Sequence, residues 1–159
     1  ITFLAVLLLG IELGILIGAG VALAIFIWRT SRPHMATVGR IGKSEMYRNV
    51  LRYNVETWPE VLIIRMDESL YFANTKYLED TVLAAIADQP NVKEFILQGN
   101  AINFIDASAL ETLESLREEL HGAGVEMHLT EIKGPVLDRL RDIGFVDKIG
   151  SDHIHRKEN

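Results

Sequence analysis

The sequence of 159 residues contains no cysteine, and its 16 lysine and arginine residues are outnumbered by 22 aspartate and glutamate residues. Without cysteine the chain has no disulfide framework, no thiol nucleophile and no thiolate metal site. A nucleic-acid binder neutralises phosphates with a clustered basic face, and this chain, with a net charge of -6, has no such cluster. We therefore expect no nucleic acid among its partners.

Common motifs of catalysis and nucleotide binding are also missing. The sequence has no Gly-x-Ser-x-Gly nucleophile elbow, no Walker loop and no paired-glycine dinucleotide fingerprint. We predict that the chain is not an enzyme and binds no cofactor. Its length suffices for one compact domain and an accessory segment.

Charge is nearly absent from residues 1–28, where Glu12 is the only charged residue. So long an apolar segment predicts a membrane-spanning helix, with the lipid bilayer as its solvent. As one straight helix it would be about 42 Å long, against a hydrocarbon thickness of about 30 Å. We expect a break between Gly10 and Gly14, because glycine is a weak helix former, and a second helix from about Leu13 to Trp28.

The residues that follow this segment predict its orientation. Arg29 and Arg32 place the next domain in the cytoplasm by the positive-inside rule, and we expect the bacterial inner (plasma) membrane as the location. The segment lacks the initiating Met, basic leader and cleavage pattern of a signal peptide, so we expect a fragment of a longer protein. The predicted division is a transmembrane segment at 1–28, a linker at 29–35 and a cytoplasmic domain at 36–159.

Small residues recur every four positions in the apolar segment, at Gly10, Gly14, Gly18 and Ala22. Such a stripe lets another helix approach closely, and we favour packing against helices of the parent protein over dimerisation. Two interpretations of Glu12 stay open. It lies either in a turn between two helices at the far membrane interface or within the membrane, as a carboxylate on an ion path.

Downstream, runs typical of strands alternate with runs typical of helices. Strands are predicted at 36–41, 61–66, 95–97 and 125–129, and the last alternates apolar with polar residues, so it has one wet face or lies at an edge. Leucine and other apolar residues recur at helical spacing from 78 to 86 and from 110 to 120. This alternation predicts an α/β fold with a mostly parallel or mixed sheet.

Three stretches resemble the sulfate permease family of anion transporters. Residues 28–34, Trp-Arg-Thr-Ser-Arg-Pro-His, resemble the exit from its membrane domain, and residues 70–74, Leu-Tyr-Phe-Ala-Asn, resemble a loop of its cytoplasmic domain. Residues 105–110, Ile-Asp-Ala-Ser-Ala-Leu, resemble the loop-to-helix motif that this domain shares with anti-sigma-factor antagonists. The ordered set covers nearly the whole chain.

The resemblance implies the fold of the sulfate-transporter and anti-sigma-antagonist (STAS) domain, with a sheet of four to five strands and helices mainly on one side. It implies that the chain is the C-terminal portion of a secondary-active anion transporter of the sulfate, bicarbonate and chloride class. The soluble domain would then serve regulation, assembly or partner binding. Its implied partner is the rest of the membrane domain, while a second copy of the chain and a cytoplasmic regulatory protein stay open.

The loop at Asp106 is the first candidate regulatory site. In the soluble antagonists a serine directly after this aspartate is phosphorylated, but here Ala107 stands at that position and has no hydroxyl group. Ser108 has capping-box spacing to Glu111, and we expect it to cap the following helix. We expect Asp106 to order the loop or to contact a partner.

A second candidate partner loop contains Tyr71, Phe72 and Asn74. We expect Asn74 or Thr75 to cap the next helix, and the two aromatic residues either contact a partner or belong to the core.

His153 and His155, with Asp152, are the remaining pattern that could suggest a metal site. Because no third ligand converges on them in the sequence, we predict no metal site.

The alternative function is a membrane-tethered switch of the anti-sigma-antagonist type. Such a switch would be expected to keep serine at position 107 and to need only one simple membrane span.

Overall fold

The computed structural model describes residues 3, 6, 7 and 10–155. The chain divides into two compact units, Ile1–Arg32 and Pro33–Asn159. The predicted three-part division at 28 and 35 stays a prediction.

The first unit contains helix α1, Ile11–Thr30, which follows Gly10 at a φ of 89°. Only glycine adopts this backbone conformation readily, so the helix starts here. At 1.5 Å per residue its 20 residues span about 30 Å, which matches the thickness of a bilayer core. Among the described residues, α1 is the one helix long and apolar enough to cross a membrane.

The predicted stripe of small residues is only partly buried within this unit. Gly14 is buried, whereas Gly10 and Glu12 are exposed and Gly18 is half-buried. A Cβ atom at Gly14 would lie 2.6 Å from the Cα of Val6, so Val6 packs directly against α1. The interruption expected between Gly10 and Gly14 therefore lies at Gly10.

The second unit is built on a six-stranded sheet. Its strands are β1 Met35–Arg40, β2 Tyr47–Asn49, β3 Val61–Met66, β4 Glu94–Gln98, β5 Glu126–Thr130 and β6 Ile154–His155. The strand order is β2-β1-β3-β4-β5-β6. Strands β3 to β6 are parallel, and β1 pairs antiparallel with both β2 and β3. The mixed, mostly parallel sheet is confirmed.

Helices connect the parallel strands. They are α2 Thr75–Ala87, α3 Ala107–Gly122, α4 Gly134–Asp142 and α5 Phe145–Ile149, and a short 3-10 helix at Ser151–His153 precedes β6. Leu78 and Val82 of α2, and Leu113 and Leu120 of α3, are buried as their helical spacing predicts.

The two faces of the sheet differ. Residues at alternate positions of the strands, such as Leu62, Phe95 and Met127, pack with helix side chains into the main core. On the opposite face, the smaller cluster of Ala36, Val38 and Ile63 contains strand residues only. Helices on one side of the sheet therefore agree with the expected STAS-like fold.

The sheet has more strands than the four to five expected, because β2 and β6 add three and two residues at its two edges. Strand β5 pairs with both β4 and β6. Its alternating pattern therefore reflects one wet face rather than an edge position.

A candidate partner-binding surface around Asp106

The carboxylate of Asp106 joins two loops at one end of the sheet. Its Oδ1 accepts a hydrogen bond from the backbone N–H of Ala109 at 2.8 Å, which caps the N-terminus of α3. Its Oδ2 accepts from the backbone N–H of Phe72 at 2.9 Å, in the loop between β3 and α2. The expected role of Asp106 as an acceptor that orders its loop is thus present in the structure, together with capping of α3.

Backbone pairing reinforces this connection. Leu70 and Ile105 form a parallel bridge, in which the N–H of Leu70 donates to the carbonyl of Phe104 at 3.1 Å. The N–H of Asp106 donates back to the carbonyl of Leu70 at 3.3 Å. Both bridging residues are buried. The two loops therefore extend the sheet beyond β3 and β4 as one unit.

Asn74 organises the loop that carries Phe72. It is fully buried, its Oδ1 accepts from the N–H of Tyr71 at 3.1 Å, and its Nδ2 donates to the carbonyl of Ser69 at 2.8 Å. Asn74 occupies the N-cap position of α2 but makes no capping hydrogen bond with its side chain. Asn74 thus holds the expected cap position, but its side chain does not bond to the helix, because the amide is committed to the preceding turn.

Exposed aromatic rings lie on both joined loops. The ring of Phe72 is 66% exposed and meets Tyr71 edge-on, with 5.8 Å between centroids. Phe104, on the other loop, is 55% exposed. Phe72 is therefore outside the core. Phe104 was not expected from the sequence, although its place directly before Ile105 and Asp106 could have drawn attention to it.

A cavity of about 330 Å³ opens beside the same loop. Phe104, Asp106 and Ala107 line it on one side, and Pro135 and Arg139 of α4 line it on the other. Arg139 and α4 were also absent from the predicted site, because a sequence does not show which helix packs beside a given loop. Together the two loops and α4 form a surface that contains the exposed rings of Phe72 and Phe104, with Asp106 and Arg139 beside them.

The family model of the STAS domain matches residues 52–159. The chain belongs to the STAS domain family. Its loop at Asp106 and its order of strands and helices agree with this assignment, and the resemblance to the sulfate permease family is confirmed.

The STAS chain is also similar to curated sulfate transporters of Arabidopsis thaliana. It is 34% identical to probable sulfate transporter 4.2 and 30% identical to sulfate transporter 1.3, in both cases over 96% of its own length. It spans 24% and 25% of those proteins, about a quarter of their length.

Solved structures show the same fold. The murine Solute Carrier 26 family member A9 anion transporter in the inward-facing state matches 99% of the chain and 26% of its own chain, with a TM-score of 0.86 and 22% identity. The SulP transporter STAS domain from Vibrio cholerae matches 67% of the chain and 80% of its own, with a TM-score of 0.54 and 17% identity.

Within the STAS domain, Ser108 is not the cap of α3. The helix starts at Ala107, Asp106 holds the N-cap position, and the carbonyl of Ser108 accepts from the hydroxyl of Thr112 at 2.9 Å. The capping prediction for Ser108 is wrong, since Asp106, two residues earlier, already supplies the capping acceptor. Ala107 and Ser108 are both exposed.

The histidines near the C-terminus meet a third histidine that the sequence did not reveal. His128 of β5 lies 3.2 Å from His155 between Nδ1 and Nε2, and its ring stacks on that of His153 at 4.5 Å. Burial, and then the charge of His153, lower the pKa of His128 below its usual value. Within residues 10–155, no group of three or more acidic or histidine side chains is arranged to hold a metal ion.

Proposed function

We propose that the chain is the C-terminal portion of a secondary-active anion transporter of the sulfate, bicarbonate and chloride class. In this proposal α1 is the end of the membrane domain, and the STAS domain acts in regulation, assembly or partner binding and has no catalytic role. The supporting observation is that the similarity to sulfate transporters extends over nearly the whole chain, so it includes α1 as well as the STAS domain.

The surface around Asp106 is the proposed contact region of the STAS domain. Exposed aromatic rings on fixed loops supply large contact areas at little entropic cost, and such residues dominate protein interfaces. Phe72 and Phe104 are held in this way, because Asp106 and the bridge between Leu70 and Ile105 fix both loops. The proposed occupant is the membrane domain of the same transporter. A second copy of the chain and a cytoplasmic regulator are the alternative occupants.

The switch of the anti-sigma-antagonist type is not favoured. Phosphorylation needs a hydroxyl group, and Ala107 offers only a methyl group at the position that carries serine in those proteins. The similarity of α1 to the transporters also argues against a helix that serves only as an anchor.

Transport by the complete protein tests the proposal. The complete coding sequence that contains this chain would be expressed in cells without endogenous sulfate uptake, and uptake of labelled sulfate, chloride and bicarbonate would be measured. We expect uptake of at least one of these anions. A properly inserted protein that moves none of the three would contradict the proposal.

The contact surface is tested in the same system by a double variant, Phe72→Ser with Phe104→Ser. We expect reduced uptake at unchanged protein level, because the variant removes contact area without touching the core. Tyr53→Ser is the matched control, since Tyr53 is another exposed aromatic residue, 52% exposed, outside this surface. Equal uptake in both variants and the parent protein would exclude the surface from transport.

We propose a cytoplasmic location for the residues after about 29, and the bacterial inner membrane as the host membrane. Arg29 and Arg32 support the orientation through the positive-inside rule. The chain has no cysteine, so Glu118→Cys places a single thiol of this chain on the exposed face of α3. With any upstream cysteines replaced, an impermeant maleimide should label this thiol in lysed cells but not in intact ones. Labelling in intact cells would reverse the orientation.

A further inference from the structure

The face of the sheet opposite the helices carries a cavity of about 220 Å³, separate from the surface around Asp106. Its apolar walls come from Tyr47, Ile63 and Ile96. Gln98, Thr130 and Glu131 supply polar groups, and His155 of β6 completes the lining. Drug-sized ligands occupy pockets of about 300–1,000 Å³, so this cavity suits a group the size of one side chain.

Gln98, one of the lining residues, has an unpaired acceptor atom buried beside the cavity. Its side chain is buried, with only 7% of the residue exposed, and its Nε2 donates to Oε2 of Glu131 at 3.1 Å. Because a carboxylate accepts hydrogen bonds, the nitrogen of the amide must face Glu131, and the opposite orientation would set two oxygens against each other. The Oε1 of Gln98 then has no partner among the described residues. Because buried polar atoms rarely stay unpaired, we expect a ligand to supply a hydrogen-bond donor to this oxygen.

The backbone of Glu131 has an unusual conformation. With a φ of 56°, it is the only residue other than glycine at positive φ in the described part of the chain. Its N–H donates to the carbonyl of His155 at 3.2 Å, which ties this turn to β6. Such conformations are costly and concentrate at functional sites. Here the conformation accompanies a carboxylate placed over Gln98.

The negative charge at the cavity favours a cationic ligand. Glu131 contributes a carboxylate, and within residues 10–155 no lysine or arginine lines the cavity. Arg65 neighbours Gln98 on β3, but its guanidinium is held by Asp67 at 2.6 Å, and Asp67 also contacts His34 at 2.7 Å. The complementary group is therefore a cation with several N–H donors. The isoleucine walls favour an aliphatic stem.

We propose that this cavity binds a guanidinium group on a short aliphatic stem. A guanidinium presents its donors in a planar fork, so it can donate to the carboxylate of Glu131 and, once the buried amide of Gln98 turns slightly, to its unpaired Oε1. An ammonium group has the charge but lacks the fork. The guanidinium can come from a free alkylguanidinium or from an arginine side chain of a protein segment.

The test uses the full chain in detergent micelles, with carbon-13 labels on the isoleucine methyl groups. Titration with n-butylguanidinium chloride should shift the methyl signals of Ile63 and Ile96 to saturation, while that of Ile149, in the core beneath the other face, stays unchanged. n-Butylurea has a similar shape without the charge and should bind at least about tenfold more weakly. Equal affinity for the two compounds, or a shift that does not saturate, would overturn the proposal.

Two variants separate binding from folding. Glu131→Gln removes the charge and should weaken binding about tenfold or more, whereas Glu118→Gln on the exposed face of α3 should leave it unchanged. Gln98→Leu replaces the unpaired amide with an apolar side chain of similar size, so it should fold well and still lose affinity. Unchanged affinity in Gln98→Leu and Glu131→Gln would overturn the proposal.

A peptide distinguishes the two sources of the guanidinium. The blocked tripeptide acetyl-Gly-Arg-Gly-amide carries the group as a protein segment would. If it binds at least as tightly as n-butylguanidinium, the cavity receives an arginine of a partner segment. If the peptide fails while the small cation binds, the site is for a free alkylguanidinium.

Discussion

The Oδ2 atom of Asp106 accepts a hydrogen bond from the backbone N–H of Phe72, a residue 34 positions earlier, at 2.9 Å. The other oxygen of the same carboxylate caps α3 through Ala109. One side chain thus controls both the start of a helix and the position of a distant loop. Loss of this carboxylate should therefore affect both loops at once.

Asp106→Ala should lower the free energy of unfolding by about 2–5 kcal/mol, since a lost cap costs about 0.5–2 and a charged hydrogen bond contributes about 1.5–3. Asp106→Asn should cost less, because asparagine is also a good cap. The measurements are denaturant unfolding of the chain in micelles and amide exchange at Phe72 and Ala109. Asp138→Ala, on an exposed side chain of α4, is the control. Exchange that accelerates at Ala109 but not at Phe72 would contradict the joint role.

Asn74→Ala should destabilise the STAS domain by about 2–4 kcal/mol, because it leaves the N–H of Tyr71 and the carbonyl of Ser69 without their buried partner. Asn103→Ala is the matched control. Asn103 is exposed, its amide nitrogen donates to the carbonyl of Ala101 and its amide oxygen accepts from the exposed ammonium of Lys133, so we expect a change within about 0.5 kcal/mol. Comparable unfolding midpoints for the two variants would show that the buried amide of Asn74 contributes little.

The elements predicted from the sequence are those with a clear period. Strands β3 and β4 and the apolar faces of α2 and α3 follow from runs and repeats that span several residues. Strands β2 and β6 have three and two residues, too few for any period to appear, and they form because β1 and β5 offer free edges.

The site was harder to predict because its contacts are not local. Ser108 has the right spacing to Glu111 for a capping box, yet Asp106 provides the cap. The bond from Phe72 to Asp106 and the stack of His128 on His153 depend on strand order and register, which a single sequence does not contain.

Gly14→Ala should disturb the membrane unit, whereas Gly20→Ala should not. A Cβ atom at Gly14 would lie 2.6 Å from the backbone of Val6, while one at Gly20 meets nothing within 4 Å. Overpacking of this kind typically costs about 1–3 kcal/mol, and alanine is otherwise the better helix former. Thermal melting followed by circular dichroism in micelles should show a lower midpoint for Gly14→Ala alone. Equal midpoints would mean that Val6 does not pack on α1 in the membrane.

The stability of the STAS domain should fall as the pH drops below about 6.5, the usual pKa of histidine. Burial and the neighbouring His153 lower the pKa of His128 in the folded state, and Glu94 and Glu126 oppose this shift only in part, while His155 adds to it. The unfolded chain therefore binds the proton more readily than the folded chain. By linkage, the free energy of unfolding rises with pH between the lowered pKa and about 6.5, and the contribution is constant above that range.

His128→Gln should flatten this pH dependence below about pH 6.5 in urea unfolding of the chain in micelles. His121→Gln is the control, because His121 is exposed and contacts Glu126 rather than His128. The ring of His128 stacks on His153, in the 3-10 helix before β6, and on His155 of β6 itself, so a proton on His128 places a charge directly against this edge of the sheet. The amide of Glu131, bonded to the carbonyl of His155, should therefore lose protection in acid before the amides of β4. If acid opens β4 and β6 together, the histidine stack does not control the edge strand.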